Sequence, residues 1–514
     1  MTTYRIHPAI GIARVGNSKT GYFIGPERPG QAPQESYKEG DKKSILRQGA
    51  RFRVYEYDEA GKPVREITSA EAEITWKVHL VNRKAAGPKI FDVGDRNPGI
   101  PPELLIIDPG ERSILGGDPG PLALAGKCLG SDVLLGELRT EVGGQLVVLG
   151  GYGRSFSPTG KKLEGTFNNR EWCDDTADGR VSASLRFRGQ EPVEAQASWV
   201  ITAPPDFAPP IGNVISLYDV VYDVALEGFG FHHDPLLAAG NVFFEQHVFP
   251  LLERTAHAWW VDLTAANQAM GKGHAPGMKG DFLKEDMLKL LRDNNPNPES
   301  PAFKVRNQVF ARLRKPDGTG GTMPRLNPEY DTGRNPALPA WKYKVMERWA
   351  KGDFEPQGSF EPECDPHPFD LDKAALDACV GASFYPGIEA PRSLRDQPEL
   401  YGAPFRIAGH VPPGLITQGL AVPWQTDFQA CSSGWWPAVR PNNVFRDGKR
   451  QLWAEGVGKE EMVEKWMRLG FVLPSGVANP PFIEKERDPE LVFDLELLLA
   501  SATAISPEIQ GDVR

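Results

Sequence analysis

The spacing of hydrophobic and polar residues changes near the middle of the chain. From Tyr4 to about Val224, apolar residues alternate with polar ones or gather in short β-branched runs, as in 51–57 (RFRVYEY) and 145–149 (QLVVL). Turn sequences rich in Gly, Asp and Pro separate these runs. Alternation with a period of two is typical of strands, and Gly, Asp and Pro are typical of turns. The pattern predicts a β-rich, sandwich-like N-terminal half.

Apolar residues of the second half recur instead at the spacing of a helix. This spacing is found in 242–254, 281–292, 339–350, 371–380 and 459–469. The chain is therefore predicted to have an α+β fold, in which the β-rich half packs on a half rich in helices and loops. We expect the boundary near residue 235, which divides the chain into an N-terminal region, 1–235, and a C-terminal region, 236–514.

Composition narrows the range of partners. Hydrophobic residues make up 40% of the 514 residues, which is enough for a sizeable core. The formal net charge is −10 and no block of Lys and Arg occurs, so nucleic acid and membrane surfaces are disfavoured. Neither a signal peptide nor a run of about 18 uncharged apolar residues is found. We expect a soluble protein that is cytoplasmic as synthesised, and later export without a conventional signal stays open.

The common metal and nucleotide patterns are weak. Adjacent side chains of a strand point to opposite faces, so His232-His233-Asp234 does not predict a chelate. The sequence Asp174-Asp175-Thr-Ala-Asp178 resembles a calcium loop only loosely, and an Asp-rich hairpin turn is favoured. A hairpin turn is also favoured over a nucleotide loop for 150–153 (GGYG). The five cysteines contain no C-x-x-C pair, and no metal site or disulfide framework is predicted.

One segment, 423–437, combines a thiol, a carboxylate and several tryptophans. Asp427 precedes Cys431 by four residues, and Trp435 and Trp436 follow it closely. Cys, Trp and Asp side chains are the material from which a protein can build a cofactor, since the carboxylate can act as a base during ring oxidation. From this segment alone, a buried cysteine in an aromatic core remains the favoured interpretation.

Further motifs extend along most of the chain. They are Tyr4–Ser18, Phe23–Glu27, Asn168–Trp172, Asp174–Gly179, Thr202–Pro209, Ser216–Asp219, Phe384–Glu389, Pro423–Cys431, Trp435–Pro441 and Trp466–Phe471. In order and spacing they resemble the family of L-lysine ε-oxidase and glycine oxidase, whose members carry cysteine tryptophylquinone. The resemblance favours a chemical function for Cys431 over core packing.

The resemblance implies a cofactor made from side chains, in the C-terminal half. In that family a cysteine sulfur is bonded to the indole of a downstream tryptophan, whose ring is oxidised to an ortho-quinone. Carried over, Cys431 is the cysteine and Asp427 is the carboxylate needed to build the cofactor. Trp466 is the favoured tryptophan, because it belongs to a shared motif and lies in a predicted helix, and Trp453 is the alternative. No metal is implied.

Other positions are implied for the substrate pocket. Phe207 falls where the family places an aromatic residue beside the active site, which suggests a gate or a substrate contact. Trp435 and Trp436 are so near Cys431 in sequence that we expect them to be wall residues. Cys379 lies in a block near the site, without an assigned chemical role.

The function implied by the resemblance is oxidative deamination of a primary amine or an amino acid. The substrate amine forms a Schiff base with a quinone carbonyl, a base such as Asp427 removes the α-proton, and hydrolysis releases an aldehyde or oxo acid. Dioxygen then reoxidises the cofactor, which gives hydrogen peroxide and ammonia. A flavoprotein that matures the cofactor and homo-oligomerisation are implied as well.

Two other functions stay open at this point. A cofactor-free member of the family would bind a peptide or protein through an aromatic cleft around Trp424, Trp435 and Trp436. A quinone dehydrogenase would pass its electrons to a protein acceptor instead of dioxygen. The chain is shorter than typical members, so the identity of the substrate amine does not follow from the resemblance.

Overall fold

Strands occupy most of the first half of the molecule. The computed structural model describes residues 2–40, 43–261, 283–324, 337–358, 365–381, 388–430 and 439–489. The strands before residue 204 are β1 (Thr3–His7), β2 (Ile10–Arg14), β3 (Tyr22–Ile24), β4 (Arg47–Tyr57), β5 (Pro63–Ile67), β6 (Ala72–Val81), β7 (Arg112–Leu115), β8 (Leu122–Cys128), β9 (Ser131–Thr140), β10 (Leu146–Gly150), β11 (Ser155–Phe156), β12 (Cys173–Asp174), β13 (Ala177–Phe187), β14 (Val193–Glu194) and β15 (Ser198–Ala203).

Most of these strands form one barrel-like sheet. Its order is β7-β6-β13-β15-β2-β4-β10-β9-β8, and β1, β3 and β5 also pair with β4 while β14 pairs with β13. The long antiparallel pair β6 and β13 runs in register from Val81 opposite Asp178 to Ala72 opposite Phe187. Buried positions alternate with more exposed ones along both strands. The apolar face covers a core that contains Phe52, Trp76 and Leu135, as the period of two predicts.

Helices follow in the second half. They are Leu217–Phe229, Pro235–Ala238, Phe249–Ala258, Glu285–Arg292, Pro301–Phe310, Ala340–Lys351, Pro368–Asp377, Ser393–Asp396, Trp424–Ala430 and Lys459–Lys465, after the short helix Pro102–Leu105 in the first half; a π-helical turn covers Phe244–Val248, and 3₁₀ turns cover Pro398–Leu400 and Trp466–Arg468. Short hairpins pair β16 (Tyr401–Ala403) with β17 (Arg406–Ile407), β18 (Asn443–Arg446) with β19 (Lys449–Leu452), and β20 (Phe471–Pro474) with β21 (Phe482–Lys485).

The predicted α+β fold is confirmed, and each segment with helical spacing contains a helix. Two boundaries differ from the prediction. The strands of the first half end at Ala203, and the helix Leu217–Phe229 begins inside the stretch for which strands are predicted up to about Val224. The segment 459–469 is helical only to Lys465, and Trp466 begins a 3₁₀ turn instead of lying inside the helix. Trp466 is held by the packing of its ring, because a turn of this kind has few backbone hydrogen bonds of its own.

Buried polar contacts attach the helices to the sheet. Asp372 of the helix Pro368–Asp377 accepts a hydrogen bond from the backbone N–H of Ala9 at 2.6 Å, and its carboxylate lies 3.0 Å from Nδ1 of His7. Burial lowers the pKa of His7 to about 4. A hydrogen-bonded carboxylate in this position fixes the helix against the first strands of the sheet. In the described part of the chain, no helix is long and apolar enough to cross a membrane.

Candidate functional site

The helix that leads to Cys431 begins on a buried carboxylate. The backbone N–H of Trp424, the first residue of the helix Trp424–Ala430, donates to Oδ2 of Asp174 at 3.1 Å. Nζ of Lys84 donates to the same oxygen at 2.5 Å, and both side chains are buried. A carboxylate satisfies an otherwise unpaired N–H and is stabilised by the positive end of the helix dipole. The N-terminal half therefore positions the start of this helix.

Neighbouring residues hold the segment that precedes the helix. Asp178 accepts hydrogen bonds from the backbone N–H groups of Ile416 and Thr417 at 3.3 and 2.8 Å, and from the hydroxyl of Thr417 at 2.6 Å. Burial raises the pKa of Asp178 to about 6. Nδ2 of Asn169 donates to the carbonyl oxygen of Val422 at 3.0 Å. The hairpin turn predicted at 174–178 is wrong, because β12 and β13 belong to different sheets and do not pair with each other. The acidic side chains of this segment are buried and fix the loop before Trp424.

The third carboxylate of the turn, Asp175, holds a glycine-rich loop. Its Oδ2 accepts from the backbone N–H of Arg154 at 3.0 Å, and the N–H of Gly153 is a further donor. Burial raises the pKa of Asp175 to about 7, and among the described residues its Oδ1 has no hydrogen-bond partner. The loop connects β10 with β11, which belong to different sheets. The hairpin turn predicted for 150–153 is therefore wrong, because these strands do not pair with each other.

Gln425 ties this loop to the helix. Its Nε2 donates to the carbonyl oxygen of Gly153 at 2.9 Å, and its Oε1 accepts from the hydroxyl of Ser155 at 2.6 Å. The Gln425 side chain is completely buried, so each of these hydrogen bonds replaces one that water would make. The glycine-rich loop at Gly153 and the helix Trp424–Ala430 consequently lie side by side. We call the place between them the slot.

Aromatic side chains fill the space around the slot. Ring centroids lie 5.2 Å apart for Trp424 and Trp466, 5.2 Å for Trp424 and Phe428, 4.9 Å for Phe207 and Trp453, 4.9 Å for Phe207 and Phe471, and 6.0 Å for Phe207 and Phe428. We call these six residues the aromatic cluster. All are buried, and their centroid separations are those of offset or edge-to-face pairs.

Trp466 lies at the end of the slot against Gly153. A Cβ added to Gly153 would come within 2.1 Å of Cζ2 and 2.7 Å of Cη2 of the Trp466 ring. Gly153 also has a φ of +72°, a conformation that residues with a side chain rarely adopt. The helix Lys459–Lys465, which precedes Trp466, packs on the helix Trp424–Ala430. Only glycine at position 153 allows the indole of Trp466 to lie this close to the loop.

Trp453 has the surroundings of an ordinary core tryptophan. Its Nε1 donates to the carbonyl oxygen of Gly470 at 3.1 Å, and its ring packs on Phe207. Gly470 in turn donates its backbone N–H to Glu484 at 3.1 Å. Both sites predicted for the modified tryptophan are therefore in the aromatic cluster, but only Trp466 lies in the glycine slot.

These residues fit a cofactor built on Trp466, because the slot admits its benzenoid ring without a side chain in the way and lies beside the helix that precedes Cys431. Cys431, Trp435 and Trp436 themselves lie outside the described residues. Asp427 lies in the first turn of the helix Trp424–Ala430 and is 4% exposed. Within the described ranges, no cluster of three or more His, Cys, Asp or Glu side chains could hold a metal ion.

Two family models match the chain. The model of the L-lysine ε-oxidase N-terminal region matches residues 7–202, and the model of the L-lysine ε-oxidase C-terminal domain matches residues 321–453. Together they cover more than half of the sequence. The chain belongs to the L-lysine ε-oxidase family. The C-terminal match includes Asp427 and Cys431 and ends at Trp453, whereas Trp466 lies beyond it.

A sequence relative extends the match to 98% of the chain. L-lysine 6-oxidase from Marinomonas mediterranea is 25% identical, with 98% of this chain and 92% of that protein covered. The crystal structure of L-Lys ε-oxidase from Marinomonas mediterranea has a TM-score of 0.76 at 21% identity, and that of its Schiff base intermediate with L-Lys has a TM-score of 0.75 at 21% identity. In both comparisons 95% of each chain is covered, so the overall fold is shared.

The substrate residues predicted from the family occupy different places. Phe207 is completely buried in the aromatic cluster, where its backbone N–H donates to Val439 and its carbonyl oxygen accepts from Val472, both at 2.8 Å. Cys379 belongs to another hydrophobic cluster, where its Sγ lies 3.6 Å from Nη2 of Arg14. Burial raises the pKa of the Cys379 thiol well above its usual value. Phe207 thus packs on Trp453, the alternative tryptophan, whereas Cys379 contacts Arg14 in a different cluster.

A small cavity separates these two places. It has a volume of about 60 Å³ and is lined by Arg14, Tyr37, Asp206 and Phe471, among others. Burial raises the pKa of Asp206 to about 7. Pockets for small ligands have volumes of roughly 300 Å³ or more, so the space enclosed by these described residues is smaller than an amino acid requires.

Sequence reasoning missed five residues that hold the helix Trp424–Ala430 and the loops next to it by hydrogen bonds: Asn169, Asp174, Asp175, Asp178 and Gln425. The signal that could have found them is the presence of three aspartates within five residues of one family motif. Exposed turns use such residues for local hydrogen bonds, whereas here Asp178 and Asp174 bind residues that lie 239 and 250 positions further along the chain, and Asp175 binds the loop at Arg154.

Proposed function

We propose that the chain deaminates a primary amine of an amino acid by means of a cysteine tryptophylquinone made from Cys431 and Trp466. Membership of the L-lysine ε-oxidase family supports an amino-acid oxidase, which is an oxidoreductase. The observation that carries the finer proposal is the position of Trp466. Its buried indole packs against Gly153 and Trp424. Trp424 begins the helix that leads directly to Cys431.

Trp466 is preferred to Trp453 for two reasons. Oxidation adds oxygen atoms to the benzenoid ring, and the slot beside Trp466 is the place where the chain lacks a Cβ against that ring. Trp453 packs in the cluster with its N–H paired to Gly470, which is the arrangement expected of a structural tryptophan.

Asp427 is proposed as the base. Asp427 is 4% exposed and lies in the first turn of the helix Trp424–Ala430. Only three residues separate it from Cys431 in sequence. A carboxylate in this place takes up protons released while the ring is oxidised and cross-linked, and later the α-proton of the substrate.

Phe207 is proposed to close the site on the side of Trp453. Its ring packs on Trp453, Phe428 and Phe471, and both backbone polar groups are hydrogen-bonded. A wall of this kind excludes water from the reacting groups. Trp435 and Trp436 as wall residues, and Cys379 as a pocket residue, stay predictions.

A quinone at this site would supply an electrophilic carbonyl for a primary amine, and dioxygen would accept the two electrons removed from the amine. The products would be an aldehyde or oxo acid, ammonia and hydrogen peroxide. The related oxidase is named for L-lysine, and one of its structures holds L-Lys. For this chain we propose the same class of substrate, an amino acid with a reactive primary amine. Maturation by a separate flavoprotein is part of the proposal, and a homo-oligomer is expected.

Intact-mass measurement tests the proposal. The chain is produced with and without a flavoprotein monooxygenase partner, and the matured protein should gain about 28 Da, the sum of two ring oxygens added and four hydrogens lost. A quinone absorption band and amine-dependent hydrogen peroxide should accompany the gain. A mass that stays unchanged while Cys431 remains alkylatable would contradict the quinone. Substrate turnover without peroxide would indicate a dehydrogenase.

A further inference from the structure

Trp424 is a buried tryptophan whose indole N–H is unsatisfied. Its side chain is 3% exposed, and Nε1 has no hydrogen-bond partner among the residues that the structure describes. Four other buried tryptophans have a partner: Nε1 of Trp76 donates to Gly144, that of Trp199 to Asp178, that of Trp349 to Leu291 and that of Trp453 to Gly470. The indole N–H groups of Trp172 and Trp259 are also unsatisfied within the described residues, but those two side chains are only half-buried. A donor without a partner is most unfavourable in a fully buried side chain, so its retention at Trp424 requires an explanation.

The ring of Trp424 packs against the ring of Trp466. The two rings are edge to face, with centroids 5.2 Å apart and planes at 70°. Trp424 is fixed there, because its backbone N–H is bound by Asp174 and its ring packs on Phe428. An unmodified indole offers no hydrogen-bond acceptor beyond the face of its ring. Oxidation of Trp466 would introduce two acceptors into the same enclosed space.

We propose that the indole N–H of Trp424 donates a hydrogen bond to an oxygen that oxidation introduces on Trp466. This inference rests on the proposed function, since it requires the quinone to form on Trp466. The donor is then unsatisfied only before maturation. A fixed N–H at a quinone oxygen stabilises negative charge on that oxygen when the cofactor accepts electrons, as preorganised donors do in other active sites. Trp424 is thereby a positioning and polarising residue, while Asp427 moves protons.

A variant pair separates this hydrogen bond from general packing. Trp424→Phe keeps an aromatic ring but removes the N–H, and Trp76→Phe is the control because it removes a buried N–H in the sheet core, where Gly144 accepts it at 2.7 Å. Matured Trp424→Phe should still gain about 28 Da. We expect its quinone absorption maximum to shift and its reaction with phenylhydrazine to slow roughly ten-fold or more. Trp76→Phe should match the unsubstituted protein in both.

A second measurement does not require the variant to mature. Indole ¹⁵N–¹H signals are recorded for the unsubstituted protein before and after maturation, and the Trp424 signal is assigned by its absence from unmatured Trp424→Phe. Hydrogen bonding to a new acceptor should move this signal downfield and slow its exchange with solvent. A matured protein in which the Trp424 signal does not move overturns the inference and leaves the quinone intact. A protein that gains no mass overturns the proposed function, and this inference with it.

Discussion

Trp466 and Trp453 lie in one aromatic cluster and are equally buried, yet their surroundings differ in kind. Trp453 has a hydrogen-bonded N–H and packs on Phe207 with ordinary ring separations. Trp466 lies on a glycine with positive φ and beside Trp424, whose N–H is unsatisfied within the described residues. Burial alone therefore does not mark a reactive tryptophan. The distinguishing features are close contact between the benzenoid ring and a glycine backbone, and a neighbouring N–H that unmodified side chains leave unsatisfied.

The largest difference between the two tryptophans is expected when each is replaced singly by phenylalanine. Trp466→Phe should abolish the gain of about 28 Da, because Phe lacks the indole that is oxidised. Trp453→Phe should keep the gain and lose about 1–3 kcal/mol of stability, from a lost hydrogen bond and a smaller core side chain. Intact mass and thermal melting measure both. The opposite pattern, with modification lost only in Trp453→Phe, would assign the cofactor to Trp453.

The next largest effect is expected at Asp427. Asp427→Asn keeps the size of the side chain but removes the base, so quinone formation should fall by roughly a hundred-fold or more. The rate is followed by the growth of the quinone band during maturation. Melting of the unmatured variant close to that of the unsubstituted protein would show that the fold persists. Maturation at an unchanged rate would show that Asp427 is not the base.

Gly153→Ala tests whether Trp466 depends on the glycine that it contacts, because a Cβ at position 153 would overlap the Trp466 ring. Gly153 and Gly160 both have a φ of +72°, but a Cβ on Gly160 meets nothing within 4 Å. Each alanine costs about 1 kcal/mol for the backbone conformation, and only the one at 153 also displaces Trp466. We expect Gly160→Ala to mature normally and Gly153→Ala to mature slowly and incompletely. Equal quinone yields from the two variants would mean that Trp466 does not depend on the slot.

The smallest expected effect is on pH dependence at Asp175. Burial raises its pKa to about 7, so the folded chain keeps this proton at pH values where the unfolded chain, with a pKa near 3.9, has lost it. Stability from this group is complete below about pH 4 and is lost as the pH rises through about 7.

Asp175→Asn should not show that loss. Its melting temperature relative to the unsubstituted protein should therefore increase between pH 5 and pH 8, by an amount that corresponds to about 3 kcal/mol, since roughly two pKa units at 1.36 kcal/mol each lie between pH 5 and the folded pKa of about 7. A difference that is the same at both pH values would show that Asp175 does not hold a proton in the folded chain.

Much of the architecture follows from periodicity. Alternation predicted strands such as β4 and β10, and helical spacing predicted the segments that became Ala340–Lys351 and Pro368–Asp377. Periodicity reports which face of an element is buried, so it works where packing is the main determinant.

The site is less accessible to such reasoning, because its parts meet through long-range contacts. Asp174 and Trp424 are separated by 250 residues in sequence, and nothing local in either indicates the other. The choice between Trp453 and Trp466 likewise depended on Gly153 and Gly470, which the sequence shows only as glycines. A hairpin prediction from the local sequence accounted neither for the two sheets that 174–178 connects nor for carboxylates that are buried in the protein.

A peptide map of the matured protein gives the most direct test of the link between Cys431 and Trp466. After proteolysis, we predict a cross-linked pair of peptides, one with Cys431 and one with Trp466, whose combined mass is about 28 Da above that of the two unmodified peptides. Fragmentation should place both added oxygens on Trp466. A cross-link from Cys431 to Trp453 would contradict the proposed link between Cys431 and Trp466. So would a Cys431 thiol that remains free in protein with full quinone absorbance.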